Sequence, residues 1–376
     1  MGVANAGFKH AAVVEWDRWA CDTLEENMSW PVRPGDVRDV TYDGLGVIDL
    51  VSGGPPCQPF SMGGKHNAHK DRRDMFPEAI RAVRELQPRA FVFENVKGLT
   101  RASFQNYLSY IRLQLRHPEV TARTDEAWTD HLGRLERHET SGSSSGLHYN
   151  VVHRLMNAAN HGVPQRRERV FIVGFRADLG IEWRFPRETH SAAALAWSLT
   201  HEDDYYQRHR IGRSERALIE EAAAKVRGEP SDLPWRTVRD AFQGLPDPEL
   251  DPEKAKGIAD HRFIPGARSY PGHTGSPLDA PAKTLKAGVH GVPGGENMLR
   301  RPDGSIRYFS VREAARLQTF PDDFLFHGSW TETMRQLGNA VPVRLAEIVA
   351  RSVASHLKAT DGIPASGSPM SEELSR

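Results

Sequence analysis

Cysteine is nearly absent from this 376-residue chain, which carries only Cys21 and Cys57. Two thiols exclude a disulfide framework and any zinc site built from cysteines. No run of about 18 apolar residues occurs, so no segment reads as a membrane-spanning helix. The start, MGVANAGFKHAAVVEWD, has no basic region followed by an apolar stretch, which argues against a secretory signal and against export. Charge of one sign is not in excess either, with 49 basic and 49 acidic residues. That balance excludes a whole-surface polycation. It leaves nucleic-acid binding open, because local clusters set the field near a phosphate backbone. Internal repeats are lacking. The 17 histidines, His66 and His69 among them, show no spacing with carboxylates that builds a catalytic metal site. What is present is 39% hydrophobic residues, enough for packed cores, in a chain long enough for two domains.

The chain reads in zones. Short β-branched or aromatic runs at 11–17 (AAVVEWD), 47–53 (VIDLVSG), 90–96 (AFVFENV) and 169–175 (RVFIVGF) read as strands. The segment 77–88 (PEAIRAVRELQP) has helical periodicity and lies between two of them. Strand–helix–strand alternation predicts an α/β domain with a mainly parallel sheet, whose ligands sit at the carboxyl ends of its strands. Residues 101–148 read as an insertion that starts helically and ends in the flexible run SGSSSG. From Arg176 to Asp303, Pro, Gly, Arg and His with weak periodicity predict a smaller irregular domain. Helical pattern returns at 311–318 and 341–357, and the Ser/Gly/Pro-rich tail reads as disordered.

The chemistry concentrates just past the predicted strand ends. After VIDLVSG comes Gly53-Gly54-Pro55-Pro56-Cys57-Gln58-Pro59-Phe60-Ser61. Two glycines permit a tight turn and close backbone approach, and the prolines stiffen the loop. A free cysteine is ordinarily a small buried hydrophobe. One set in this rigid loop reads instead as a presented nucleophile. The strand AFVFENV delivers Glu94 to the same sheet edge, where an apolar setting suits a general acid. Gln165-Arg166-Arg167-Glu168-Arg169 runs into the last strand, and Gly338-Asn339-Ala340-Val341-Pro342 opens a helix. Taken singly, the last two also fit a solvated charge run and a plain helix start.

In this order the motifs GGPPCQPFS, ENVKGL, QRRERVFIVG, SVREAARLQTFPDDF and RQLGNAVP resemble those of the C5-type DNA cytosine-5 methyltransferases, and the match covers nearly the whole chain. The resemblance implies a Rossmann-like class I methyltransferase fold, α/β with a mainly parallel sheet, plus a smaller irregular target-recognition domain. It assigns 1–175 and 330–358 to a catalytic domain binding S-adenosylmethionine, 176–329 to target recognition and 359–376 to a tail. It makes Cys57 the nucleophile that adds to C6 of a flipped cytosine, with Glu94 on the Watson–Crick edge protonating N3. Arg169 is implied to contact the base O2, and Arg167 to support the catalytic loop or the flipped nucleotide. Cofactor contacts are implied for Glu15 and Trp16 (ribose and adenine), Asp36 and Val37 (adenine), and Gly54, Pro56 and Asn339 (the methionine side). DNA contacts are implied for Gln58, Ser61, Lys65, Gln165 and Arg166, with Lys70, Arg72 and Arg73 on the loop that closes over phosphates. Arg208, Arg210, Arg213 and Arg216, clustered with Tyr205 and Tyr206, are candidates for reading bases. Pro281, Lys283 and Thr284 would brace that domain.

Family members begin with a strand and a Gly-rich turn ahead of the segment matched by VANAGF. The sequence here starts inside the helix that follows, so the expectation is a sheet without its first strand and weak cofactor binding. The expected partner is double-stranded DNA, with no metal and no membrane. The expected setting is a monomer in a bacterial cytoplasm at the nucleoid, serving a restriction–modification system. A DNA-binding relative without catalysis and a tRNA cytosine methyltransferase are the alternatives. The loop PCQPFS speaks against the second, which uses a Cys-Phe-Thr pattern.

Overall fold

The computed structural model describes residues 1–56, 74–142, 146–271, 273–287 and 297–360. In chain order the elements are α1 (Gly2–Asn5), β1 (Val13–Glu15), α2 (Arg18–Asn27), β2 (Val32–Pro34), β3 (Leu50–Gly53), α3 (Phe76–Leu86) and β4 (Ala90–Val96). Next come α4 (Gln105–Arg116), α5 (Trp128–Thr140), β5 (Tyr149–Asn157) and β6 (Glu168–Arg176). There follow β7 (His190–Ser191), α6 (Ala192–His201), α7 (Asp204–His209), α8 (Arg213–Ala222), β8 (Leu233–Pro234), α9 (Val238–Ala241) and α10 (Pro252–Ala255). The chain closes with β9 (Ser276–Pro277), β10 (Met298–Arg300), β11 (Ile306–Tyr308), α11 (Val311–Leu317), α12 (Trp330–Asn339) and α13 (Val343–Thr360). No helix among the described residues is long and apolar enough to cross a membrane.

Two compact units emerge, one of residues 1–40, 155–169 and 186–350, the other of 41–154, 170–185 and 351–376. The second unit is the α/β half. Its four-stranded sheet runs β3-β4-β6-β5, and β3 and β4 are parallel with Val51 opposite Phe91 and Gly53 opposite Phe93. Phe91, Val170, Ile172 and Val173 are wholly buried, as the β-branched and aromatic runs predict. α3 lays Phe76, Ile80, Ala82 and Val83 inward at helical spacing and ends on Gln87 in the left-handed region (φ 46°). Gly174 is required by contact: a Cβ there would stand 2.2 Å from the Phe91 ring.

In the first unit, β1 pairs in parallel with β2, Glu15 lying opposite Pro34. Asp17 caps α2 by accepting the Ala20 N–H and also pairs with Arg335 of α12. Asn27 exchanges two 2.7 Å bonds with the Leu325 backbone. The larger core of this unit gathers Leu285, Phe309, Leu317, Met334 and Leu337, and a smaller one gathers Leu195, Leu199, Tyr205 and Tyr206 from α6 and α7.

Three sequence expectations need correction. Residues 176–303 were expected to be irregular, yet α6, α7 and α8 form a helical cluster: α6 is apolar nearly all round, and α7 is too short to show a period. The insertion holds a second helix, α5, which packs on α4. The first 40 residues group with the predicted recognition segment rather than with the sheet of β3 to β6. The cause is visible in the pairing: among the described residues β1 bonds only β2, while α2 is tied to α12. The predicted tail beyond residue 360 lies outside the described residues.

Gly174→Ala is expected to cost about 1–3 kcal/mol, because the Phe91 ring must move within a filled core. Gly133→Ala, on α5 with open space around it, is expected to gain about 0.5–1 kcal/mol. Denaturant unfolding midpoints of the two variants check both signs.

Candidate active site

Parallel pairing makes β3 and β4 end at one rim, so the residue after Gly53 meets the residue after Phe93. A Cβ on Gly54 would stand 3.3 Å from Glu94 Oε2, so glycine lets the loop lie against the carboxylate. Asn95, 5% exposed, donates from Nδ2 to the Pro55 carbonyl at 2.8 Å and accepts the Val96 N–H. The Pro56 carbonyl accepts the Met75 N–H at 2.9 Å. Asp74 accepts the Phe76 N–H and the Tyr107 hydroxyl. The chain is therefore fastened immediately before Cys57 and immediately after Arg73. Cys57, Gln58, Ser61, Lys65, Lys70, Arg72 and Arg73 themselves lie outside the described residues, as do His66 and His69. The other thiol, Cys21, is buried and donates toward the Glu15 carbonyl at 3.3 Å. Burial first, and then Glu15 and three other carboxylates, push its pKa up, so it stays protonated and is no nucleophile.

The expected adenosine-binding residues sit together in the other unit. Glu15 ends β1, and its Oε1 accepts the N–H groups of Trp16 and Asp17, both at 2.9 Å. That clasp fixes the carboxylate, and Oε2 is left for hydroxyl donors. Trp16 presents a ring that is 77% exposed. The next strand brings up Gly35, whose N–H donates to the Glu15 carbonyl, followed by Asp36 and Val37. Asp36 caps a short 3-10 turn and is paired with Arg38. Val37 is half-buried, and Asn339 is exposed at the end of α12. A fixed carboxylate, an exposed indole and an acceptor at the neighbouring strand end fit an adenine ribonucleoside. Gly54 and Pro56 belong to the sheet unit with Glu94.

The Gln-x-Arg-x-Arg segment divides by burial. Gln165 is fully buried; its Nε2 donates to the Leu317 carbonyl and the Gln318 side chain, and its Oε1 accepts the Leu285 N–H. A DNA contact from Gln165 does not fit that burial, and the expectation is corrected to a brace. Arg167, also fully buried, donates to the carbonyls of Leu285 at 2.9 Å and Gly338 at 2.6 Å. Its guanidinium ties the 285 segment to the end of α12, next to Asn339. Arg166 is exposed, and Arg169 is half-exposed and donates to the Glu168 carbonyl. Thr284 donates to the Arg166 carbonyl at 2.7 Å, and Pro281 is buried beside the Gln165–Ala282 bridge. Lys283 reaches Thr274.

The arginine cluster also sorts itself. Arg208 pairs with Asp204 and Asp240, and Arg216 with Asp203 and Glu220, each lying over a tyrosine ring. Tyr205 and Tyr206 are buried with their hydroxyls bonded to Asp279 and the Leu199 carbonyl, which removes them as base-stacking candidates. Arg210, at φ 53°, and Arg213 remain exposed at the turn between α7 and α8. Sequence reasoning missed Asn95 and the Asp74–Tyr107 anchor. Asn95 carried a signal, since it stands beside Glu94 at a strand end. Tyr107 carried none, because its partner lies 33 positions away.

A sheet rim that holds Gly54 and Pro55 against a Glu-Asn strand end, and a strand end suited to an adenine ribonucleoside, agree with a class I methyltransferase fold. The chain belongs to the C-5 cytosine-specific DNA methylase family, whose model matches residues 1–117 and 141–355; it is a DNA cytosine-5 methyltransferase. It is 31% identical to the type II methyltransferase M.NgoMIV of Neisseria gonorrhoeae, over 95% of this chain and 94% of that protein. It is 30% identical to the type II methyltransferase M.Eco47II of Escherichia coli, over 94% of this chain and 75% of that one. The crystal structure of the S. pombe Dnmt2 methyltransferase shares the fold, at TM-score 0.55 and 16% identity, covering 96% of both chains.

Gly54→Ala is expected to slow turnover by about 10–100-fold by displacing Glu94, with little change in unfolding midpoint. Tritium transfer to duplex DNA measures the first and urea titration the second. Arg167→Met is expected to lower stability by at least about 2 kcal/mol, because two buried carbonyls lose their donor. A variant of unchanged stability in urea would contradict the bracing role.

Proposed function

We propose that this chain methylates C5 of one cytosine within a short duplex DNA sequence, as the modification enzyme of a restriction–modification system, acting as a monomer at the bacterial nucleoid. The observation that carries this reading is the contact of Gly54 with Glu94 on the rim that leads into Cys57. The relatives' description as type II methyltransferases supports the restriction–modification setting.

Each residue has a task that follows from its chemistry. Cytosine C5 is a poor nucleophile. The Cys57 sulfur adds to C6 and turns the ring into an enamine. Glu94 holds a proton at N3 and so draws electron density from the ring as the sulfur attacks. Asn95 and Gly54 set the loop against Glu94. Bound S-adenosylmethionine would supply the methyl group from its sulfonium and leave as S-adenosylhomocysteine. Glu15, Trp16, Asp36 and Val37 would hold its adenosine, and Gly54, Pro56 and Asn339 its methionine end. A solvent water then takes the C5 proton, the C5–H electron pair becomes the C5–C6 double bond, and Cys57 leaves as its thiolate. Arg169 and Arg166 would hold the flipped nucleotide and its phosphates. Residues 176–329 would choose the sequence, with Arg210 and Arg213 free to reach a base or a phosphate.

The test is expression in a host without cytosine methylation, followed by bisulfite sequencing of its DNA and tRNA. One duplex motif is expected to be protected throughout. Cys57→Ala is expected to abolish protection, and Glu94→Gln to slow methyl transfer by about 10²–10⁴-fold in vitro. Methylation confined to tRNA, or DNA binding by a folded protein that protects no motif, would overturn the proposal.

A further inference from the structure

The family model leaves out residues 118–140, and that segment and its two flanks carry histidines the methyl transfer does not use. It lies at the rim opposite Glu94: the Tyr149 hydroxyl, at the start of β5, donates at 2.7 Å to the Pro88 carbonyl just ahead of β4. Three histidines gather there. His117 caps the end of α4, His138 sits in the last turn of α5, and His148 directly precedes β5. His117 is 6% exposed, and its Nδ1 faces His148 Nδ1 at 3.4 Å. The His138 ring stands edge-on to His117, with centroids 4.7 Å apart. The Nε2 of His117 meets Glu139 Oε2 at 2.5 Å, and Arg116 holds the other oxygen of that carboxylate.

Tautomer and distance decide what this pair is for. A carboxylate only accepts, so the His117 proton sits on Nε2 and Nδ1 presents a lone pair. A carboxylate behind one imidazole nitrogen is how metal-bound histidines are oriented. The 3.4 Å gap is long for a hydrogen bond from an N–H, which closes to about 2.7–3.2 Å. It matches the edge of a tetrahedron about a metal with N ligands at about 2.0–2.1 Å, where two nitrogens stand about 3.3–3.4 Å apart.

We propose that His117 and His148 seat a zinc-class divalent cation that His138 completes, fastening the inserted helix pair to the first residues of β5. Among the described residues no three His, Cys, Asp or Glu side chains converge without rearrangement, so two ligands stand ready and the third swings in. His138 is placed to do so. Its ring has no hydrogen bond to break among the described residues, and it lines an open cleft of about 630 Å³ with Glu119, Arg123, Arg134 and Arg137. The two arginines with acidic partners here are neutralised, Arg116 by Glu139 and Arg134 by Glu126, which lessens repulsion of a dication. Glu119 accepts the Leu147 N–H at 2.9 Å and holds the approach to His148. The ligands are scattered in sequence, so the chain shows no short metal motif, and the proposal departs from the sequence expectation of no metal.

Tag-free full-length protein, stripped with chelator and desalted, is titrated with Co2+ and then Zn2+. One equivalent of Co2+ is expected to bind with the visible absorption of a tetrahedral site, to be displaced by Zn2+, and to raise the unfolding temperature. His148→Gln and Glu139→Gln are each expected to weaken binding by about 10–100-fold. His138→Gln, on the cleft side, tests the third ligand without entering the core. His153→Gln, on β5, is expected to bind as wild type. No saturable binding at 100-fold excess metal over protein, or equal binding by wild type and folded His148→Gln, would overturn the proposal.

Discussion

The chemistry of this enzyme depends on two parallel strands that stop at the same level. With Gly53 opposite Phe93, the backbone of Gly54 comes close to the Glu94 carboxylate, and a Cβ there, 3.3 Å from Oε2, would press on it. Everything nearby serves that contact. Asn95 is buried only because Pro55 offers its carbonyl as a partner. The prolines remove backbone freedom ahead of Cys57, so the chain leading to it loses less entropy on folding.

A second constraint is electrostatic and lies in the other unit. Arg167 is a buried permanent charge that donates to the main-chain carbonyls of Leu285 and Gly338. Hydrogen bonds of this kind offset the cost of taking a guanidinium out of water. Gln165 does similar work with neutral groups, joining Leu285 to Leu317 and Gln318. The motif that looked like a basic DNA-contact strip thus alternates between inward braces and outward side chains. Only the outward ones are available to a nucleic acid.

Much of this was legible beforehand, for identifiable reasons. AFVFENV reads as a strand because its aromatic and β-branched residues need a pleated, buried surface, and the strand observed is the one expected. Cys57 and Glu94 stood out because their settings, Gly-Gly-Pro-Pro and a strand terminus, are costly unless used. The side chains around them were not legible. Arg208 and Arg216 look like readers of DNA until Asp203, Asp204, Asp240 and Glu220 are seen to hold them. Pairing across dozens of residues leaves no periodic trace. The helices of 192–222 stayed hidden for a related reason, since each contributes only a few apolar residues to a shared small core.

The clasp between Met75 and Pro56 has a consequence for how such enzymes diverge. It joins the residues on either side of the Cys57 segment by a main-chain hydrogen bond. Once a loop is closed at its base, doubling its length costs only about 0.6 kcal/mol of chain entropy. Relatives can therefore lengthen or shorten that segment to suit different grooves at little cost to folding. Loss of Asp74 or Tyr107, which hold the closure in place, would not be tolerated so easily.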